Sequence, residues 1–246
     1  MPLEIAQWAV LFALASAFLP LPCFRSNRVL KISAFFLLGI SGLLAMTAGG
    51  LALLTSAPSD TVLPIGLPWL HCHLHTDPLA GLFLVIIGLI TAIAALYGPA
   101  YVREYQSGPQ PLLVLTLFTG LFVTGMYLLV LTADAFSFMV AWEVMSVSSY
   151  FLVAFQHQHA RNRSAAFIYL LMAQVGGLCI MLAYGVLAGF GNGFTFADMA
   201  RADFSATWAT IAFLLAFVGF GMKAGVVPLH VWLPQAHPVA PSHISA

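Results

Sequence analysis

Two ionisable side chains lie deep inside apolar runs of this chain, Glu143 and Lys223. A charge at the centre of a bilayer costs about 2.5–3.5 kcal/mol even on the lenient insertion scale, and it is tolerated where it pairs across helices or faces a wet cavity. The chemistry open to such residues is proton handling. Burial favours the neutral amine and the neutral acid, whereas an opposite charge within reach favours the ionised form of each. A carboxylate moving toward the lysine would therefore load it, and one moving away would unload it.

The surroundings of Lys223 support the same chemistry. Pro228 and Pro234 follow it, and a proline removes a backbone donor and clashes with the preceding turn. The helix carrying Lys223 is therefore expected to break, leaving carbonyls without helical partners, an arrangement tolerated beside protein or a wet cavity. His230 lies in the broken stretch. It reads either as a proton relay, since histidine changes charge in the physiological range, or as a donor to a freed carbonyl. His157 and His159, beside Arg161 and Arg163, read as interfacial residues or as a route of proton uptake. Trp142, Tyr150 and Trp232 read as packing or interface aromatics.

These residues need helices to hold them. The chain of 246 residues is 61% hydrophobic and 7% charged, with a mean hydropathy of +0.99. Soluble domains carry about 25% charged residues, so this composition describes an integral membrane protein. A formal net charge of zero, with eight basic and eight acidic residues, speaks against a nucleic-acid partner. Cys23, Cys72 and Cys179 lack Cys-x-x-Cys spacing and imply neither a disulfide framework nor an iron–sulfur site. Glu4 stands where a signal peptide would be basic, and Leu21-Pro22-Cys23 makes a poor cleavage box.

A crossing takes about 20 apolar residues, and seven stretches qualify: Leu3–Leu21, Val29–Thr55, Leu79–Tyr101, Pro111–Thr132, Ala135–Phe155, Ala165–Phe190 and Trp208–Val227. The runs lack a barrel's alternation, so the expectation is all-α: a polytopic helix bundle whose seventh span is broken. By helical rise, Glu143 and Lys223 lie about 12 Å and about 22 Å below the outer face. That difference permits a direct pair without showing one. The chain divides into residues 1–110, three spans with an outer loop at 56–77, and residues 111–246. A tight turn at Ala133-Asp134 should make the fourth and fifth spans antiparallel neighbours. Arg25, Arg28, Lys31, Arg103, Arg161 and Arg163 fall in alternate loops, against Arg201 alone in the others. This asymmetry puts the N-terminus outside.

Three other motifs need a reading. His71, His73 and His75 would share one face of an extended strand, which suits either a metal site or a polar outer loop folded as a short hairpin without metal. Gly189, Gly191 and Gly193 read as a turn with close helix packing. Gly219-x-Gly221-x-x-Ala224 imitates a dinucleotide fingerprint but lacks the preceding strand, and that reading is rejected.

Phe220-Gly221-Met222-Lys223-Ala224-Gly225, continuing through Pro228-Leu229-His230 and Trp232-Leu233-Pro234, together with Trp142-Glu143-Val144-Met145-Ser146, resembles the antiporter-like membrane subunits. That family spans the pumping subunits of respiratory complex I, the Mrp-type antiporter subunits and the membrane subunits of group 4 hydrogenases. The ending from Ala236 to Ala246 looks most like component B of hydrogenase-4, of the formate-hydrogenlyase branch, with Gln235 where complex I subunits tend to be acidic. The resemblance implies a proton channel built from inverted five-helix repeats. It puts the motif glutamate at Glu143, the motif lysine at Lys223 and a polar position at His230. It also implies residence in a bacterial or archaeal inner membrane, among other membrane and peripheral subunits. No cofactor ligands are expected in this chain, the iron–sulfur and nickel–iron chemistry belonging to those partners.

Family members carry roughly twice as many helices, so residues 111–246 would be an incomplete first repeat with the second repeat absent. Pro241-Ser242 reads as a helix start with Ser242 as N-cap. The expected function is proton translocation within an energy-converting redox complex. The alternatives are a Mrp-type cation/proton antiporter subunit carrying protons or sodium, and a truncated structural subunit that no longer conducts. A seven-helix receptor fits by span count alone, against its buried Glu143 and Lys223.

Overall fold

The computed structural model describes residues 1–23, 26–55, 58–107, 112–241 and 244. Arg25 and the helix start expected at Ser242 lie outside them. Helix α1 (Pro2–Phe18) leads into α2 (Asn27–Thr55), then a hairpin of β1 (Ser59–Leu67) and β2 (Leu70–Thr76). Helices α3 (Pro78–Tyr101), α4 (Leu112–Leu131), α5 (Ala135–Val153) and α6 (Ala160–Gly191) follow. The short α7 (Phe196–Met199), then α8 (Ala206–Ala224) and the single turn α9 (Leu233–Ala236) complete the order.

Among the described residues, six helices are long and apolar enough to cross a membrane: α2, α3, α4, α5 with its following turn, α6 and α8. The expected first span is shorter than the sequence suggests. Pro20 and Pro22 stop α1 at 17 residues, about 25 Å at helical rise against about 30 Å of hydrocarbon. Small residues let α1 sit inside the bundle. Ala6, Ala9 and Ala13 are fully buried, and Ser41 of α2 donates to the Ala9 carbonyl at 2.7 Å. Helices α1 to α4 share one apolar core around Leu84, Leu115 and Tyr127. Outside it α5 packs on α4, α6 on α5, and α8 on α6.

The segment between α2 and α3 is an antiparallel hairpin. Leu70, Cys72, Leu74 and Thr76 turn inward while His71, His73 and His75 turn outward, as strand alternation requires. Burial pushes the Cys72 thiol up from its ordinary value, so it is a packing residue. The tight turn joining α4 and α5 is latched to the hairpin. Ala133 N–H donates to the His73 carbonyl at 2.8 Å, and His73 N–H donates to Asp134 at 2.9 Å. Asp134, fully buried, also caps α5 by accepting from Ser137 N–H at 2.8 Å. Helix α6 ends on Asn192 in the left-handed conformation. Gly191 and Gly193 press on Asp198, whereas Gly189 faces open space. By connectivity, Arg28, Lys31, Arg103, Arg161 and Arg163 gather at the end opposite the hairpin.

Candidate functional site

Helices α5, α6 and α8 bring the chemistry together, and α6 is the middle member. Its adjacent glycines allow both neighbours close. A Cβ on Gly176 would stand 3.0 Å from the Gly219 carbonyl of α8, and one on Gly177 would stand 3.1 Å from the Trp142 ring nitrogen of α5. Gly219 is thus a close-packing residue, matching the rejection of a dinucleotide fingerprint there.

Glu143 is half-buried on α5, and its carboxylate accepts from Gln174 Nε2 of α6 at 3.0 Å. Lys223 is also half-buried, in the last turn of α8, where the helix dipole favours a cation. Its ammonium donates to the Tyr169 hydroxyl of α6 at 2.9 Å. It also lies 5.4 Å from the Trp142 ring centroid and 5.3 Å from that of Tyr169, within cation–π range. Tyr169 further shares a short hydrogen bond with Ser149 of α5, and Ser149 in turn donates to the Met145 and Ser146 carbonyls.

Glu143 and Lys223 therefore do not meet as a direct ion pair among the described residues. Each is instead held by a polar side chain of α6, because α6 packs against both α5 and α8. Gln174, Tyr169 and Ser149 are not among the site residues read from the sequence above. Their signal was polar groups at helical spacing inside apolar spans. Trp142 is also more than a packing aromatic, since it offers a ring face to the Lys223 ammonium.

The break after Lys223 differs in cause from the expectation. Helix α8 stops at Ala224 because Gly225 adopts a left-handed φ of 71°, ahead of Pro228. Gly225 N–H donates to the Met222 carbonyl and Val226 N–H to the Gly221 carbonyl, the bonding pattern of a Schellman termination. Trp232 Nε1 also donates to the Met222 carbonyl, at 2.7 Å, so this indole is a tether as well as a packing group. The carbonyls that proline was expected to free are thus partly satisfied. Pro234 occupies the first turn of α9, where its missing donor costs nothing.

His230, in the irregular stretch between α8 and α9, keeps a buried Nδ1 without a hydrogen-bond partner among the described residues. A buried polar atom of this kind calls for a water or a proton carrier beside it. His157 and His159 are exposed where α5 gives way to α6, and Arg163 donates to the His157 and Gln158 carbonyls. No hydrogen bond among the described residues links their rings to Lys223. The metal reading of His71, His73 and His75 is not supported by the geometry. His73 Nδ1 bonds the His71 carbonyl at 2.7 Å and His75 Nδ1 bonds Asp60 at 2.6 Å. No metal-holding cluster forms among the described residues.

Comparison with known proteins agrees with this architecture. Residues 132–246 match the family described as NADH:quinone oxidoreductase/Mrp antiporter, transmembrane. Over 173 residues the chain is 38% identical to "Hydrogenase-4 component B" of Escherichia coli K12, an alignment covering 70% of this chain and 25% of that one. It is 29% identical to "NADH-quinone oxidoreductase subunit M" of the same organism, covering 97% of this chain and 50% of the relative. A chain of the archaeal membrane-bound sulfane sulfur reductase superposes with a TM-score of 0.80 at 21% identity, over 98% of this chain and 49% of that chain. One of the Mrp complex from Dietzia sp. superposes with a TM-score of 0.79 at 20% identity, over 100% of this chain and 45% of that one. The chain thus spans between a quarter and a half of the length of these relatives. A helix bundle with Glu143 and Lys223 in its spans and the family match place residues 132–246 in the NADH:quinone oxidoreductase and Mrp antiporter family, in a chain with the fold of the antiporter-like membrane subunits.

Proposed function

We propose that this chain translocates protons as a membrane subunit of a multi-subunit, energy-converting redox complex of the hydrogenase-4 kind, with Glu143 and Lys223 as its proton-handling residues. The observation that carries the reading is the seat of Lys223. Its ammonium rests on a neutral phenol and two ring faces. A lysine fixed to a carboxylate is held charged, whereas a phenol can accept from the ammonium or donate to the amine. Ser149 can likewise take either role toward Tyr169. Lys223 can therefore release its proton without losing its partner.

In this reading Gln174 and Tyr169 of α6 couple Glu143 to Lys223, and His230 receives or supplies the proton beyond the end of α8. His157 and His159 mark the side of proton uptake. The N-terminus lies outside and the basic end faces the cytoplasm of a bacterial or archaeal cell, in keeping with the loop charges. Electron transfer, with iron–sulfur and nickel–iron groups, belongs to partner subunits. The 38% identity to a relative named as a hydrogenase-4 component favours this over a Mrp-type cation/proton antiporter subunit, for which the family description and the Mrp fold likeness speak.

The test is Lys223→Ala and Glu143→Gln in the intact membrane complex, with proton uptake into inverted vesicles as the readout. Each variant should lose most of the proton signal while the complex still assembles. Unchanged uptake in both would overturn the assignment, and uptake that follows added sodium rather than a redox donor would favour the antiporter reading.

A further inference from the structure

At the basic end of the molecule, three cations face one cavity of about 620 Å³. Arg28 and Lys31 come from the first turns of α2, and Arg103 from the 3-10 turn that follows α3. The two arginines are exposed, but Lys31 retains 5% of its surface. Among the described residues no ion pair or hydrogen bond reaches its ammonium. Both guanidiniums are near enough to repel it. An ammonium between two like charges is unfavourable by itself, and an anion among the three removes the conflict. Asn27 adds an amide to the same wall, and none of the described lining residues is acidic.

A second cavity of about 480 Å³ runs along the groove between α2 and α3 and shares Ile32, Leu96 and Pro99 with the first. It continues past Phe36, Gly39 and Leu43. Gly39 lines the trough without a side chain; a Cβ there would make an ordinary contact of 3.4 Å with the Ala95 Cβ, so filling the trough takes a longer side chain. Phe36, Leu43 and Leu96 are exposed along its rim. The combination is amphipathic: a cationic bowl at the interface, then an apolar trough descending from it.

We propose that the α2–α3 groove binds one anionic phospholipid, its phosphodiester among Arg28, Lys31 and Arg103 and an acyl chain along Ile32, Phe36 and Gly39. Two features select this ligand. Three cations, with no acidic residue among the described lining, match the charge of an anionic headgroup better than that of a zwitterionic one. The adjoining trough rewards a chain that free phosphate lacks. Basic pockets between helices on the cytoplasmic side are where anionic headgroups collect.

Native mass spectrometry tests this on the full chain extracted from membranes and offered equal phosphatidylglycerol and phosphatidylcholine. Phosphatidylglycerol should be retained over phosphatidylcholine by about tenfold or more, at roughly fivefold per basic residue. Arg103→Gln, at an exposed position, should lower that preference about fivefold, and Lys31→Met at least as much. Gly39→Leu should expel the lipid without any change of charge, and millimolar inorganic phosphate should not compete. Equal retention of the two lipids, or full preference in both charge variants, would overturn the proposal. Displacement by phosphate with Gly39→Leu silent would overturn it too, reducing the site to an anion pocket. If Lys31→Met fails to fold, Arg103→Gln and Gly39→Leu still decide.

Discussion

Replacing Tyr169 with phenylalanine deletes one oxygen from the seat of Lys223 and leaves the ring in place. That oxygen accepts from the ammonium at 2.9 Å and pairs with Ser149. The retained ring keeps its cation–π position, 5.3 Å from Nζ, and its edge contact with Trp232 at 5.2 Å. Ser149 still holds the Met145 and Ser146 carbonyls at 2.9 Å, so its side of the loss is small. A hydrogen bond to a charged group contributes about 1.5–3 kcal/mol net, and Tyr169 is 6% exposed, which limits rescue by bulk water. Taking the lower bound, and one decade of rate per 1.36 kcal/mol, Tyr169→Phe should slow proton translocation about tenfold. The assay is redox-driven quenching of a pH-sensitive dye in inverted vesicles, beside a native gel showing the assembled complex. Ser149→Ala should fall well short of that effect. Full-rate translocation by an assembled Tyr169→Phe complex would refute the idea that the phenol holds the proton-carrying lysine.

Gly219→Ala should destabilise the protein by about 1–3 kcal/mol, because its Cβ would stand 2.6 Å from Ile180 Cγ1 and 2.7 Å from the Gly176 carbonyl; a thermal melt in detergent reads this. Asp134→Ala removes an acceptor shared by His73 and Ser137 N–H. It should cost about 1–3 kcal/mol and raise hydrogen exchange in β2 before the rest. Trp232→Phe keeps the ring contact with Tyr169 but loses the bond to the Met222 carbonyl. It should cost about 1 kcal/mol, seen as a lower melting temperature and faster exchange around residues 222–226.

Much of this architecture is legible from hydropathy because membrane helices must satisfy their own backbone. The α4–α5 turn, the hairpin and the isolation of Glu143 and Lys223 in apolar spans follow from residue types. The length of α1 is a miss, because the apolar run to Leu21 hides the stop that Pro20 and Pro22 impose on the helix. The seat of Lys223 was not legible either, because hydropathy averages away single polar groups such as Gln174, Tyr169 and Ser149, and periodicity says nothing of which neighbour they meet. The end of α8 shows the same limit. Pro228 reads as the breaker, yet Gly225 in the left-handed region does the stopping, as a glycine shortly before proline often does.

The paired glycines of α6 carry a mechanical consequence. Adjacent helical positions diverge by about 100°, so Gly176 turns to α8 while Gly177 turns to α5. Tyr169, seven positions before Gly176, falls on the α8 side, and Gln174, three before Gly177, on the α5 side. One rigid cylinder thus carries both hydrogen-bonding arms at a fixed phase. Rolling or sliding it by a fraction of a turn would shift the partner of the carboxylate and the partner of the amine in the same stroke, with no contact between the two charges.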